Sequence, residues 1–402
     1  MYEIRQAREK DRDSVVQVLS RALGPLETFR EEWVESWKEY WFRPENEDWA
    51  YVATYKGRVI ANLSFFVNDF NTIRKNTLRF GGVWAVGTEY EHRRKGLLTG
   101  LFDKAFPHMK EKRIVLSILD PSPYEGAQIA YEKCGYAVAE NRVHHEFSPG
   151  ALKPVEGQKN ITVRELKDTN ECRKISELEV TMGCYGSRVF SYPPMFINDI
   201  KSGHFYILER GSEPVGCVKL SCQKLNDSSI LKVSRTYFKS VSVLPSIIAL
   251  IAQNSEDVEK IEWNCEPQIP VRDYIQNIHK IKTQSTGTMM MRVVDFEKYC
   301  TLIKVPEHAE GELIVALHDT QCPWNEGLYK LDFSQGVLRV DRVEENENVH
   351  ITLDPFQLSH IISGLTPPSV LQQLGMITCS SETAENLDAL FPADCFVSYF
   401  RF

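Results

Sequence analysis

The residues best suited to chemistry lie between Gly82 and Lys112, where an apolar strand-like run enters a basic turn, His92-Arg93-Arg94-Lys95-Gly96-Leu97-Leu98. Beyond the turn, Leu97, Leu101, Ala105 and Met109 recur on one helical face with Leu98, Phe102 and Phe106 beside them, so this helix packs against a sheet. Its polar start must then stay open. A helix start presents unpaired N–H groups and the positive end of the macrodipole, and Arg93, Arg94 and Lys95 beside a glycine suit a pyrophosphate. Gly96 would let the backbone approach the phosphates closely. A solvated helix start can look the same, so the turn alone does not decide.

The next segments sharpen the reading. Ile114 to Leu119 is a second apolar run, the parallel partner that a strand–helix–strand crossover supplies. It is followed by Gly126-Ala127-Gln128-Ile129-Ala130-Tyr131-Glu132-Lys133-Cys134-Gly135-Tyr136, a short helix closed by a glycine and an aromatic residue.

Positioning these groups requires a substantial scaffold, and 402 residues exceed what one hydrophobic core usually serves. The first block reads as a strand at Tyr2 to Arg8, a helix capped by Asp11 to about Leu23, and a helix from Phe29 to Phe42 with Trp33, Trp37 and Trp41 on one face. A hairpin around Tyr55-Lys56-Gly57 and a long strand from about Leu78 to Val86 complete it. The order restarts near residue 161, with a strand at Ile161 to Leu166, a helix at Thr169 to Met182 and a hairpin around Gly211-Ser212-Glu213-Pro214, which makes a faint internal repeat. From about Met289 the pattern becomes an antiparallel sheet with helices: strands at Gly311 to Leu317, Gly327 to Phe333, Val337 to Val343 and Val349 to Leu353, a helix at Pro355 to Ser363, and a final strand at Cys395 to Phe402. Three domains are expected, at 1–150, 151–288 and 289–402.

Composition narrows the class. No apolar run approaches the roughly 18 residues of a membrane span, and the N-terminus lacks the basic-then-apolar layout of a secretory signal, so a soluble protein that stays in the cytoplasm is expected. The ten cysteines show no paired metal-site spacing and the histidines no ligand pattern, so neither a metal nor a disulfide framework is expected. A net charge of -8 argues against nucleic acid; it suits a cationic substrate but equally serves solubility.

Arg93-x-x-Gly96, followed by Ala130-Tyr131-Glu132-Lys133-Cys134-Gly135-Tyr136, resembles the acetyl-CoA core of the GNAT superfamily, and Arg-x-x-Gly-Leu-Leu is the form typical of its Eis family. Where many GNAT enzymes have Gly or Ala two places beyond the motif glycine, this chain has Leu98. The resemblance extends along the chain, since Eis proteins join an active GNAT domain, a degenerate GNAT-like domain and a sterol-carrier-like domain. It implies an α+β fold of two mixed GNAT-like sheets with flanking helices, a third small domain, and a hexamer. It implies acetyl-CoA as co-substrate and a primary amine as acceptor, either a small molecule such as an aminoglycoside or a protein lysine. The second copy lacks the Arg-x-x-Gly turn, offering only Ser234-Arg235-Thr236-Tyr237 and Pro245, so one catalytic site per chain is expected.

Residue by residue, the resemblance makes the backbone of Val86, Gly87 and Thr88 a rail for the pantetheine arm. Arg94, Lys95, Gly96, Leu97, Leu98 and Thr99 would hold the pyrophosphate, Arg93 would open the motif, and Gly126 and Ala127 would flank the pantetheine. Tyr131 would be the general acid for the departing thiolate, although a packed helix aromatic is the plainer reading of that residue. The C-terminal carboxylate, at Phe402, would take the proton of the amine, or the apolar strand Phe396 to Phe402 simply finishes the last sheet. Arg401 beside it would orient or neutralise that carboxylate. Glu27, Trp33 and Trp37, with Glu31 and Glu35, would form an amine-binding wall or else divide into core and solvated faces. Two other functions stay open: a non-catalytic acyl-CoA or apolar-ligand binding protein, and transfer of a longer acyl group, against which bulky Leu98 and Trp84 argue.

Overall fold

The computed structural model describes every residue except 26–30, 45–47, 74–75, 125, 182–187, 191–199, 201–203, 226–227, 345–347, 394–395 and 399–402. The fold is mixed α+β, with three sheets and flanking helices. Among the described residues no helix is long and apolar enough to cross a membrane.

The first block runs β1 (Tyr2–Gln6), α1 (Arg12–Leu23), α2 (Glu31–Tyr40), β2 (Asp48–Tyr55), β3 (Arg58–Ile73), β4 (Asn76–Thr88), α3 (Leu97–Glu111), β5 (Leu116–Leu119), α4 (Ala127–Glu132) and β6 (Ala137–Val138). The predicted apolar face of α3 is the buried one: Leu97, Leu101, Phe102, Ala105, Phe106 and Met109 pack on Ala61, Leu63 and Phe65. Helices α1 and α2 cover the opposite face, where Val15, Leu19, Trp37 and Trp41 meet Ala50, Val52 and Val59. Asp11 does stand before α1, but its side chain makes no cap to that helix. The carboxylate instead pairs with Arg5 at 2.7 Å and accepts from the Arg8 backbone N–H at 2.8 Å.

The second block comprises β7 (Val143–Phe147), β8 (Thr162–Glu165), α5 (Cys172–Thr181), β9 (Arg188–Phe190), β10 (His204–Arg210), β11 (Glu213–Leu225), β12 (Ser228–Phe238), α6 (Leu244–Gln253), β13 (Lys260–Cys265), β14 (Lys282–Ser285) and β15 (Met290–Val293). Two strands cross the boundaries drawn at 150/151 and 288/289. β7 leaves the first block to pair with β13 and β14, while β15 enters the first sheet between β5 and β6. The resulting orders are β1-β2-β3-β4-β5-β15-β6 and β14-β7-β13-β12-β11-β10-β8. Each of the two sheets is therefore completed by a strand from beyond its drawn boundary, β15 for the first and β7 for the second.

The third block holds α7 (Phe296–Leu302), β16 (Gly311–Leu317), β17 (Gly327–Ser334), β18 (Val337–Val343), β19 (Ile351–Leu353), α8 (Pro355–Ser363), α9 (Pro368–Gln373), α10 (Ser381–Leu390) and β20 (Phe396–Ser398). Its sheet, β18-β17-β16-β19, is mixed rather than antiparallel, because β19 runs parallel to β16. Leu313, Val315, Tyr329, Phe333 and Ile361 share one core with Phe80, Leu116, Ile118, Met291 and Val293 of the first sheet. The last strand does not finish this third sheet. β20 pairs in parallel with β9, which pairs antiparallel with the end of β3, so Phe396 stands level with Ile73 and Ser398 with Asn71.

Candidate active site

β4 and β5 pair in parallel only from Phe80↔Leu116 to Val83↔Leu119. Beyond that pair β4 continues to Thr88 while β5 stops, so one edge of residues 84–88 has no strand partner among the described residues. The other edge stays on β3, with an extra residue accommodated between the Asn62↔Gly87 and Ser64↔Trp84 pairs. Ala85 takes the positive φ of 48° at this bulge, and its carbonyl accepts from Asn62 Nδ2. An extended backbone edge open inside a wedge can accept another extended polar chain by main-chain hydrogen bonds, and Val86, Gly87 and Thr88 lie along it.

At the same end of β4 the chain turns into α3. Gly96 is the N-cap at φ 72° with no side-chain cap, and a Cβ built on it would meet nothing within 4 Å. With Arg94 also at positive φ (61°), the turn leaves the N–H groups of the first helical residues, Leu97, Leu98 and Thr99, facing open space. The three basic residues then divide. Arg93 is committed to the protein: it donates to the carbonyls of Thr88 at 3.2 Å and Ala22 at 3.1 Å, and stacks 4.2 Å from the Tyr124 ring. Lys95 donates to the Glu91 carbonyl at 3.0 Å, and Arg94 is exposed. Arg93 thus builds the turn, while Arg94 and the helix N–H groups face outward. An anion fits this cradle, since the glycine leaves room and the helix dipole favours negative charge.

On the far side of the wedge, Gly126 (φ 83°) opens α4; a Cβ there would likewise meet no protein atom within 4 Å, and Ala127 is half-buried behind it. Tyr131 sits on the buried face of α4, edge-on to Phe102 at 6.4 Å and Tyr136 at 6.1 Å. The Tyr136 hydroxyl is engaged by Ser117 Oγ at 2.7 Å, whereas the Tyr131 hydroxyl has no partner among the described residues. Burial, then the nearby Cys134, holds the Tyr131 phenol well above its ordinary range, so it remains protonated. Burial also pushes the Cys134 thiol up to about 11, which keeps it from competing as a thiolate. The arrangement offers a backbone rail, an anion cradle and an unspent proton donor converging on one wedge.

The remaining sequence candidates are placed less directly. Glu27 and Phe402 lie outside the described residues, as does the side chain of Trp33. Trp37 is only 7% exposed, packed with Val15, Leu19 and Trp41. Glu35 is solvated and paired with Lys38 at 2.6 Å. Two buried groups near the wedge escaped the sequence reading. Asp48 accepts a hydrogen bond from Trp84 Nε1 at 3.1 Å, and Arg292 on β15 donates to the Cys134 carbonyl and to Asp319 at 2.6 Å. The apolar run around Arg292 marks a buried strand, which is the only sequence hint that its charge needs a partner.

The second block repeats the pairing and the bulge but places a tryptophan at the end of it. Parallel pairing of β12 and β13 ends at Val233↔Trp263, and Arg235 has positive φ (51°) at the corresponding bulge. Trp263 is fully buried there, and its indole N–H donates to Thr236 Oγ1 at 3.0 Å. A buried indole bonded to β12 thus stands at the end of this pairing, where the first block has Leu119. Of groups able to ligate a metal, His144, Glu146 and Glu262 come together, but Lys260 pairs with both carboxylates at 3.3 and 2.8 Å and Lys282 with Glu146 at 3.1 Å.

Residues 3–139 match the acetyltransferase (GNAT) domain family, and residues 296–395 match the sterol carrier protein domain. The chain therefore carries a GNAT acetyltransferase domain at its wedge and a sterol carrier protein domain behind it. No curated protein matches the sequence. Among solved structures, GCN5-related N-acetyltransferases from Anabaena variabilis (17% identity, TM-score 0.82) and Kribbella flavida (18%, 0.82) share the fold over all of this chain and 100% and 98% of theirs. Eis1 from Mycobacterium abscessus shares it at 16% identity and TM-score 0.76, with both chains covered in full.

Proposed function

We propose that the chain is an Eis-type N-acetyltransferase that moves the acetyl group of acetyl-CoA to a primary amine of an aminoglycoside or a lysine side chain. The observation that carries this reading is the open wedge above Val83 and Leu119, flanked by the glycine-started helix α3 and by the unpartnered hydroxyl of Tyr131. The backbone of Val86 to Thr88 holds the pantetheine and thioester carbonyl. Arg94 and the N–H groups of Leu97 to Thr99 take the pyrophosphate, and Gly126 and Ala127 line the other side.

The amine nitrogen attacks the thioester carbonyl carbon, forming C–N as C–S breaks. Tyr131 gives its proton to the leaving sulfur, and the second proton, shed by the nitrogen as the amide forms, restores the phenol. Its raised pKa guarantees that the proton is present, and the same apolar surroundings raise the basicity of the thiolate that receives it. An alkylamine has a pKa near 10.4 and must shed a proton before attack. We assign that proton to the carboxylate at Phe402. Strand β20 supports this assignment, because it runs antiparallel to β3 toward the end of that strand where Asn62 faces Gly87. Glu27, Trp33 and Trp37 remain candidates for the amine wall, and assembly as a hexamer belongs to the same reading.

The test is thiol release from acetyl-CoA with a panel of aminoglycosides, polyamines and lysine peptides. Amine-dependent release that fails in Tyr131→Phe, with acetyl-CoA binding kept, supports the reading. Tight acetyl-CoA binding with no acceptor turned over would replace it with that of a binding protein.

A further inference from the structure

We infer that Asp48 and Trp84 form the receiving surface for the positive charge of the amine, the Trp84 ring presenting its face to the cation and Asp48 supplying the countercharge through the indole N–H. This inference rests on the acetyltransferase reading and adds the chemical character of its acceptor subsite.

Asp48 opens β2 and is 6% exposed. Its oxygens accept from Trp84 Nε1 at 3.1 Å and from the Arg43 backbone N–H at 3.3 Å, both neutral donors. No ion pair within contact distance is made to it among the described residues, and the Arg43 charge nearby offsets its burial only in part. A buried carboxylate with no cation in contact is costly unless a charge arrives from elsewhere. Trp84 is half-buried, on the α1–α2 face of the sheet with Phe42 and Trp37, and it stands one residue before the bulge at Ala85 that begins the open rail. The indole therefore touches the buried carboxylate at its nitrogen while part of its surface stays accessible, two residues before Val86 on the same strand. Hydrogen bonding to a carboxylate increases the electron density of the ring, which strengthens its attraction for an ammonium group. Asp48 is thus a positioning residue that acts through Trp84.

The experiment compares wild type, Asp48→Asn and Trp84→Phe in steady-state thiol release at saturating acetyl-CoA. Two acceptors are used: an alkylammonium substrate, and an aromatic amine that arrives uncharged. Asn keeps the volume and an oxygen acceptor for the indole, so only charge is lost. Both variants are expected to raise KM for the alkylammonium substrate about tenfold, the scale of one partly desolvated cation–π contact. KM for the aromatic amine and for acetyl-CoA should stay unchanged. An unchanged alkylammonium KM in Asp48→Asn overturns the inference, as does an equal rise for the aromatic amine, which would show a loosened site instead. If the wild type binds acetyl-CoA but acetylates neither amine, the acetyltransferase reading itself fails and this inference falls with it.

Discussion

The Arg292 guanidinium donates to the backbone carbonyl of Cys134, just beyond the C-terminal end of the helix carrying Tyr131. Arg292 lies on β15, which enters the first sheet only after the chain has built the second. It stacks 4.2 Å from the Phe106 ring and is held from the third block by Asp319 at 2.6 Å and Gln321 at 3.2 Å. Gln321 reaches on to Asp103 of α3 at 2.9 Å. A cation at a helix C-terminus is favourable, and here the sterol carrier domain keeps it in place. Asp319→Ala leaves the buried guanidinium without its carboxylate and is expected to destabilise the protein by roughly 3–5 kcal/mol, read from the urea midpoint. A change below about 1 kcal/mol would mean that the three blocks are not joined through this pair.

Tyr131→Phe removes the proposed proton donor and keeps the ring that packs against Phe102 and Tyr136. The expected result is a kcat lowered about 10²- to 10⁴-fold with acetyl-CoA affinity intact, because one general acid contributes on that scale. The pH profile carries a second check. Burial holds the phenol above its ordinary range, so Tyr131 stays protonated through about pH 10, the reference value of a free phenol, and contributes no alkaline fall in kcat before then. An alkaline limb below that pH which vanishes in the Phe variant would show that the ring is far better solvated than its buried position implies.

Much of this site was readable before the fold. The spacing of Leu97, Leu101, Ala105 and Met109 marks the buried face of α3 because a single helix packing on a single sheet leaves a clean period. The turn at Gly96 and the helix at Tyr131 were visible for the same local reason. The strand exchange was not, since Val143–Phe147 and Met290–Val293 have the same apolar character whichever sheet receives them. Local periodicity specifies a strand but not its neighbour. Asp48 and Arg292 were missed likewise, because a lone charge in sequence does not say whether it is buried or what faces it. Arg93 was legible by position but not by partner: its guanidinium braces the carbonyls of Thr88 and Ala22, contacts that no local spacing reveals.

Gly96→Ala separates the cradle from the fold. The added methyl meets no protein atom, so the folded-state cost is that of a non-glycine residue at φ 72°, about 1 kcal/mol. The methyl would, however, stand in the proposed path of the phosphates. A KM for acetyl-CoA raised about tenfold or more, with kcat little changed and a melting temperature lowered by only a few degrees, is the expected outcome. Equal loss for acetyl-CoA and for a truncated pantetheine thioester without phosphates would count against a pyrophosphate at this helix start.

Asp48 links stability to pH. Burial pushes its pKa up to about 7, against the hydrogen bonds from Trp84 and the backbone of Arg43 and Phe42 and the nearby Arg43 charge. The folded state therefore holds this proton more tightly than the unfolded chain, where a carboxyl titrates near 3.9. The contribution is favourable below about pH 4, is lost as pH rises toward 7, and is flat above. Asp48→Asn removes the ionisation and should stabilise the protein at pH 8 by about 2–4 kcal/mol, with a gap that shrinks on acidification to pH 5. Thermal unfolding at the two pH values checks this. A variant less stable than wild type at both would mean that the carboxylate is compensated in the folded state.

The assignment of the base stands on where β20 goes. Phe396–Ser398 leaves the third block, pairs with β9, and through β9 lies alongside β3 at Asn71–Ile73, running from there in the direction of the end where Asn62 faces Gly87. A strand that merely closed the third sheet would have paired with β18 or β19, and neither is its partner. Removing residues 399–402 is therefore expected to lower kcat with alkylamine acceptors by about 10²-fold or more, the scale of one general base, while acetyl-CoA binding and the urea midpoint change little. A chain extended by several residues past Phe402 should behave the same way, because the carboxylate is then displaced although every side chain is kept. An acceptor that arrives unprotonated should be affected much less by either change. If truncation and extension both leave kcat intact, another group accepts the proton, and β20 serves only to fasten the third block to the first sheet.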